Sequence, residues 1–200
     1  MTEPEWKDDT TAEEKGRIDQ FLATMAKELG LEERFFHNLI SEPEDWSFVI
    51  KAHALLESAV CTWLAAHFGK PELQDVFARR MMMRARIGML RALKLGDKEE
   101  WKMLEAFGEL RNFLVHNVKQ TAFTFEEFFK DASCLKDFRN DFVIGEDADT
   151  FRPTVAKYPR QAMWTCVVAI AAHSFEASVQ ARIKETHHKA LEGLRNAVKA

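Results

Sequence analysis

The sequence predicts an all-α protein, an antiparallel helical bundle that ends in a long C-terminal helix. Apolar residues recur every three or four positions along most of the chain, and no segment sustains the alternation of a half-buried strand. Helix starts are marked by Ser, Thr or Asp followed three positions later by Glu, because such a pair caps the free backbone N–H groups of a first turn. The four pairs that we take as helix starts are Thr11–Glu14, Ser41–Glu44, Asp97–Glu100 and Thr124–Glu127.

Composition favours one soluble domain. The chain has 200 residues, of which 46% are apolar, enough for a sizeable core. We expect a flexible polar N-terminus over residues 1–10 and a single helical domain over 11–200. The formal net charge of -4 argues against a protein that coats nucleic acid by bulk charge. The most apolar run, 162–172, is about half the roughly 20 residues of a membrane span, so we expect a cytoplasmic protein with no membrane association.

Cysteine spacing and the absence of cofactor motifs narrow the chemistry. Cys61, Cys134 and Cys166 lie far apart, which predicts small core residues and neither a disulfide framework nor a metal-binding pair. No cluster of His, Cys and acidic residues has the spacing of a metal site, and the chain lacks a glycine-rich phosphate loop. Neither a metal nor another cofactor is therefore expected.

The first two major helices follow from their apolar faces. A helix from Thr11 to a C-cap at Gly30 is expected to bury Ile18, Phe21, Leu22, Met25 and Leu29. A helix that opens after Ser41 runs to Phe68 before Gly69, with His67 near the centre of its apolar face and His53 and Glu57 toward one edge. Glu57 needs a partner, because a buried, unpaired carboxylate is costly.

Basic residues concentrate in the next part of the chain. Between Lys70 and Lys98 there are eight lysines or arginines against three acids, whereas the first fifty residues hold thirteen acids against five bases. This asymmetry fits a solvated helix face or a nucleic-acid-binding patch. The patch would consist of Arg79, Arg80, Arg84, Arg86 and Arg91.

The helix that opens at Asp97 ends in the segment 110–117, where the residues suggest chemistry. Arg111 lies about 40° from Phe107 on a helical wheel, so its stem belongs to the apolar side. His116 is five residues further on, about 140° round an ideal helix and roughly 7.5 Å along it. The two side chains converge only if the helix ends or loosens there, or if a second copy of the chain brings them together.

These residue types suit metal-independent cleavage of RNA. Such a reaction needs a proton acceptor for the attacking 2′-hydroxyl and a fixed positive charge for the phosphate oxygens. His116 would be the base or acid, Arg111 the positive clamp, and Asn112 or Asn117 a positioning group. In the alternative interpretation, His116 caps a helix and Arg111 pairs with a buried acid such as Glu57.

The segment Arg111-Asn112-Phe113-Leu114-Val115-His116 resembles the Arg, four residues, His signature of HEPN domains, which include metal-independent ribonucleases. The order and spacing of 45–59, 110–117 and 122–127, followed by a last helix from Pro159, are similar to the mannitol operon repressor family, itself HEPN-like. The resemblance covers roughly residues 41–185. Val118 stands where the minimal-toxin branch of HEPN proteins has a tyrosine.

The resemblance implies an antiparallel HEPN-like bundle and a homodimer that brings two motifs to one cleft. The first hypothesis is an RNA-directed, metal-independent endoribonuclease, with Arg111, His116 and Asn112 as catalytic residues and His53, Glu57 and Asn117 in support. The five arginines of the basic patch would hold the RNA. The second hypothesis is a non-catalytic regulatory protein of the mannitol repressor kind, which binds a protein partner and uses Arg111 as an ion-pair partner of Glu57.

Overall fold

A computed structural model describes residues 11–116, 123–130 and 157–199. These residues form eight α-helices and no β-strand, which confirms the all-α prediction. The expected flexible N-terminus, Asn117 and Cys134 lie outside the described residues. The helices are α1 (Ala12–Glu28), α2 (Phe35–Ile40), α3 (Asp45–His67), α4 (Leu73–Arg80), α5 (Met83–Leu93), α6 (Lys98–His116), α7 (Phe125–Lys130) and α8 (Pro159–Lys199).

Helix α1 begins and ends as predicted. The Thr11 hydroxyl oxygen accepts from the Glu14 backbone N–H at 3.2 Å, and the Glu14 carboxylate accepts from the Thr11 N–H at 2.8 Å. Gly30 follows with a φ of 71°. The predicted apolar face is only partly buried, because Ile18 and Phe21 remain 49% and 43% exposed. Only the C-terminal half of α1 packs on the bundle, through Leu22 and its neighbours.

Helix α3 is the central helix, and its start differs from the prediction. Ser41 ends α2 as its C-cap, and α3 is capped by Glu44 without a side-chain bond. The prediction of a capping box formed by Ser41 and Glu44 is therefore wrong. The start of α3 is instead held by Asp45, whose carboxylate accepts from the Phe125 backbone N–H and from Arg160 Nε, each at 2.8 Å.

The other end of α3 also corrects one expectation. Helix α3 finishes at His67, and Gly69 adopts a φ of 61°, which suits the predicted stop. His67 is exposed, although the wheel placed it near the centre of the apolar face. The last turn of α3 leaves the core there, and Phe68 is likewise 43% exposed.

Long-range contacts fix the directions of the main helices. Asp45 bonds Arg160 and the Ala59 carbonyl accepts from Ser174 Oγ, and both pairs are 115 residues apart, so α3 and α8 run parallel. His53 lies beside Gly108 near the middle of α6, whereas Trp63 lies beside Gly96 just before its start. Helix α6 therefore runs antiparallel to both α3 and α8.

The start of α6 shows a close approach that only glycine permits. Asp97 and Glu100 form both bonds of the predicted capping box, each at 2.9 Å. Gly96 has a φ of 75°, and a Cβ placed on it would lie 2.9 Å from the Trp63 ring. Glu100 is buried and pairs with His173 of α8. The Glu100 carboxylate therefore joins the cap of α6 to α8, and its hydrogen bond raises the pKa of His173.

Helix α8 belongs to the bundle in its first half. Met163, Val167 and Ile170 are buried, whereas the side chains described after residue 181 are exposed, in line with the predicted change after Gln180. Two helices are long and apolar enough to cross a membrane by length and composition, Asp45–His67 and Pro159–Glu192. In α3, 67% of that apolar window is buried inside the protein, as in the core helix of a bundle. The cytoplasmic location stays a prediction.

Two of the three cysteines have the predicted core positions. Cys61 and Cys166 are buried, as free thiols. Burial raises the pKa of Cys166 to about 12, so its thiol stays protonated at neutral pH. These two residues therefore act as small apolar side chains.

Candidate functional site

Helix α6 continues without interruption from Lys98 to His116. Arg111 and His116 are consequently five residues apart on one regular helix, about 140° round its axis and roughly 7.5 Å along it. The helix neither ends nor loosens between them. Of the two routes that the sequence left open for bringing these side chains together, only a second copy of the chain remains.

The Arg111 side chain is turned toward the side of the helix that carries His116. Its Nη1 donates to the Asn112 amide oxygen at 3.2 Å. Asn112 and His116 are four residues apart, so they lie within about 40° of each other on the helix surface. The hydrogen bond to Asn112 therefore turns the Arg111 guanidinium toward the side of α6 on which His116 lies.

Arg111 presents its guanidinium near the end of α6. It is half-buried, and no carboxylate pairs with it among the residues that the structure describes. Asn112 and His116 are both exposed. The last turns of α6 therefore present a cation, an amide and an imidazole at the protein surface.

The ion pair between Arg111 and Glu57 that the regulatory hypothesis expected is not formed. Glu57 Oε1 instead lies 3.4 Å from Arg86 Nη1, and its Oε2 lies 3.7 Å from His53 Nδ1. Helix α5 packs against α3 and supplies the arginine, so Glu57 has its partner without α6. Within the described part of the chain, Arg111 is left without a carboxylate partner.

Arg86 is a buried structural residue. Only 4% of it is exposed, and its guanidinium donates to the backbone carbonyls of Phe77 at 3.2 Å, Ala78 at 3.1 Å and Met81 at 2.7 Å. These are the last carbonyls of α4 and of the turn that follows. The prediction that Arg86 binds nucleic acid at the surface is therefore wrong. In the sequence, Arg86 lies one turn before Leu90, on the apolar side of α5. This position indicates a buried side chain, and it was the signal that could have excluded Arg86 from a surface patch.

The remaining arginines of the predicted patch divide into two sets. Arg79, Arg80 and Arg84 are exposed around the turn between α4 and α5. Arg91 pairs with Glu105 at 2.7 Å and stacks over Trp101 at 5.9 Å from the ring centre. The exposed basic surface is thus centred on this turn and does not extend along α5 as one stripe.

His53 lies between the basic turn and Arg111. It is 8% exposed, on the side of α3 that faces Gly108 of α6. Burial lowers its pKa, Glu57 opposes this, and the positive charges of Arg111 and Arg86 lower it further. His53 is therefore neutral at neutral pH, and its pKa depends on the charges of Arg111 and Arg86. His53 lies beside Glu57, as the helical wheel predicted, and its supporting role in a site stays a prediction.

Within the described residues no group of three or more His, Cys, Asp or Glu side chains is placed to hold a metal ion. Phe113 and Val115, on the same turns as Arg111 and His116, are 36% and 38% exposed. The fold and the site together define an all-α protein with a cationic surface at the end of α6. No protein-family model, curated protein or solved structure matches the chain.

Proposed function

We propose that this protein is a HEPN-like, RNA-directed protein that acts as a homodimer and cleaves RNA without a metal ion. Arg111, His116 and Asn112 would form the catalytic group. The observation that carries the proposal is the hydrogen bond from Arg111 to Asn112, which holds on the exposed last turns of α6 a guanidinium that has no carboxylate partner among the described residues. Half-burial strengthens the attraction of this charge for a phosphate relative to a fully solvated arginine.

The proposed reaction is an intramolecular transesterification. The 2′-hydroxyl of one nucleotide attacks the adjacent phosphorus and gives its proton to an imidazole, while Arg111 stabilises the phosphate oxygens as their negative charge increases. The bond to the 5′-oxygen of the next nucleotide breaks, and that oxygen takes a proton from a second, protonated imidazole. The products are a 2′,3′-cyclic phosphate and a 5′-hydroxyl.

This scheme requires two copies of the chain. It uses two imidazoles, and on the unbroken α6 the His116 of one chain is separated from its own Arg111. A two-fold axis at the end of α6 would place His116 of the partner subunit across the phosphate from Arg111. The exposed parts of Phe113 and Val115 border the motif and supply apolar area for such a contact.

A cleavage assay in EDTA tests the proposal. Wild-type protein should cut RNA to 2′,3′-cyclic phosphate ends and leave the 2′-deoxy analogue intact. His116→Ala should lower the rate about 100-fold or more, and Arg111→Ala about 100- to 1,000-fold. His187→Ala removes an exposed histidine of α8 and should cut like wild type. Intact RNA with wild type, or equal rates for His116→Ala and wild type, would refute the nuclease.

A non-catalytic regulatory protein of the mannitol repressor kind is the second candidate. The observation in its favour is the far half of α8, where Ile183, Leu191 and Leu194 are 56%, 43% and 65% exposed and could meet a protein partner. The absence of an Arg111–Glu57 ion pair removes the other support it had. RNA that stays intact with a folded wild-type protein would favour this candidate.

A further inference from the structure

The turn between α4 and α5 exposes an apolar side chain among arginines. Met81 and Met82 form an extended two-residue link, with φ and ψ of -124° and 132° at Met81 and of -70° and 154° at Met82. Met82 is 84% exposed, the largest exposed fraction among the large apolar side chains described. Arg80 and Arg84 lie two positions before and after it and are exposed. The exposed surface of the turn therefore combines one apolar side chain with a positive charge on each side of it.

The turn is held from the protein interior. Arg86 ties the end of α4 to α5 through the carbonyls of Phe77, Ala78 and Met81, and its contact with Glu57 ties both to α3. Several hydrogen bonds from one buried guanidinium oppose displacement of the backbone of the turn. The backbone positions from which Arg80, Met82 and Arg84 project are therefore set before any ligand arrives.

The outward charge of the turn is only partly neutralised. Arg79 makes a weak contact with Asp75 at 3.5 Å, both side chains being largely exposed. Arg80 and Arg84 have no acidic partner in the part of the chain that the structure describes. One arginine on each side of a methionine suits a ligand in which anionic groups alternate with apolar faces, as they do in a nucleic acid strand.

The turn and Arg111 are both linked to one segment of α3. Arg86, beneath the turn, contacts Glu57, and Arg111 lies near His53, which is one helical turn away from Glu57 on α3. One turn of α3 is about 5.4 Å long, so the two basic elements flank adjacent turns of one helix. A strand of a few nucleotides could reach from one to the other.

We infer that the α4–α5 turn docks single-stranded RNA, with backbone phosphates on Arg80 and Arg84 and an unstacked base against Met82. The inference rests on the proposed function for the identity of the nucleic acid. Single-stranded RNA is favoured because a protruding side chain meets a base face only where bases are unpaired, whereas the major groove of an RNA duplex is too narrow to admit it.

A binding assay tests this docking element separately from cleavage. The probe is a fluorescent single-stranded 2′-O-methyl oligonucleotide, which has no 2′-hydroxyl to react, titrated at several salt concentrations. Each phosphate contact contributes about 0.7 to the slope of log K against log salt for a single strand, so Arg80→Ala/Arg84→Ala should lower that slope by about 1.4. Lys184→Ala/Arg195→Ala, which removes two exposed charges from α8, should leave the slope unchanged.

The outcomes separate the two proposals. Wild-type slope and affinity in Arg80→Ala/Arg84→Ala, or an equal loss in the α8 control, would overturn the docking element. Met82→Ser should weaken binding of the single strand, and duplex RNA of the same length should bind more weakly than the single strand; if neither occurs, the single-strand assignment is wrong. Normal docking together with intact cleavable RNA would leave this inference standing and remove the nuclease.

Discussion

Replacing Arg86 with methionine removes the guanidinium while keeping much of the side-chain volume. The carbonyls of Ala78 and Met81 then lose the guanidinium as donor, the Phe77 carbonyl keeps only the Met81 N–H, and the Glu57 carboxylate keeps only His53. Arg86 is 4% exposed, so water reaches the vacated positions poorly. The end of α4 and the turn to α5 should be destabilised first.

The contacts of Arg86 set the size of the effect. Hydrogen bonds from a charged donor contribute about 1.5–3 kcal/mol each, but their contributions are not additive. Glu57 has a side chain that is 40% exposed and can be rehydrated, so the ion pair adds little. We expect a loss of about 3 kcal/mol, which for a domain of this size lowers Tm by roughly 6–12 °C.

Urea unfolding followed by circular dichroism at the helix band measures this loss, with thermal unfolding as a second readout. Arg91→Met is the matched control on the same helix, because Arg91 is exposed and its contact with Glu105 is worth about 1 kcal/mol at most. Arg86→Lys should recover part of the stability. If Arg86→Met and Arg91→Met unfold at the same urea concentration, Arg86 does not hold the turn in the way described.

Two further predictions concern His53 and Gly96. Burial lowers the pKa of His53, and the positive charge of Arg111 lowers it further. Below about pH 6.5 the unfolded chain takes up a proton that the native chain does not, so the free energy of unfolding should fall. Arg111→Ala should raise the His53 pKa in an NMR titration, and an unmoved titration would contradict the placement of Arg111. Gly96→Ala should cost about 2–4 kcal/mol by urea unfolding, since it adds a clash with Trp63 to the strain of a positive φ, whereas Gly30→Ala, with open space around it, should cost only about 1. Equal losses for the two glycines would refute the clash.

Helix starts were predictable where one side chain caps the nearest turn. Thr11 and Asp97 form the expected boxes, and the Thr124 hydroxyl oxygen accepts from the Glu127 N–H at 3.2 Å. Ser41 fails because a short helix precedes it and uses it as a C-cap. Asp45 holds the start of α3 through α7 and α8, and no pattern near Asp45 reveals residues some 80 and 115 positions away.

The partner of Glu57 could not be predicted for the same reason. A helical wheel gives the direction of a side chain within its helix, but it does not say which neighbouring helix packs there. Arg86 and Arg111 were both arginines with stems on apolar faces. The packing of α5 against α3 selects Arg86. Arg111, at the end of α6, is thus not paired with Glu57.

The parallel course of α3 and α8 has a consequence for the electric field at the end of α6. Parallel helices bring their positive N-terminal ends together, and the negative C-terminal end of α6 lies beside them, each end equivalent to roughly half a charge. Asp45 and Arg160, at the starts of α3 and α8, nearly cancel each other. The negative end of α6, where His116 lies, is therefore opposed by the positive ends of two neighbouring helices.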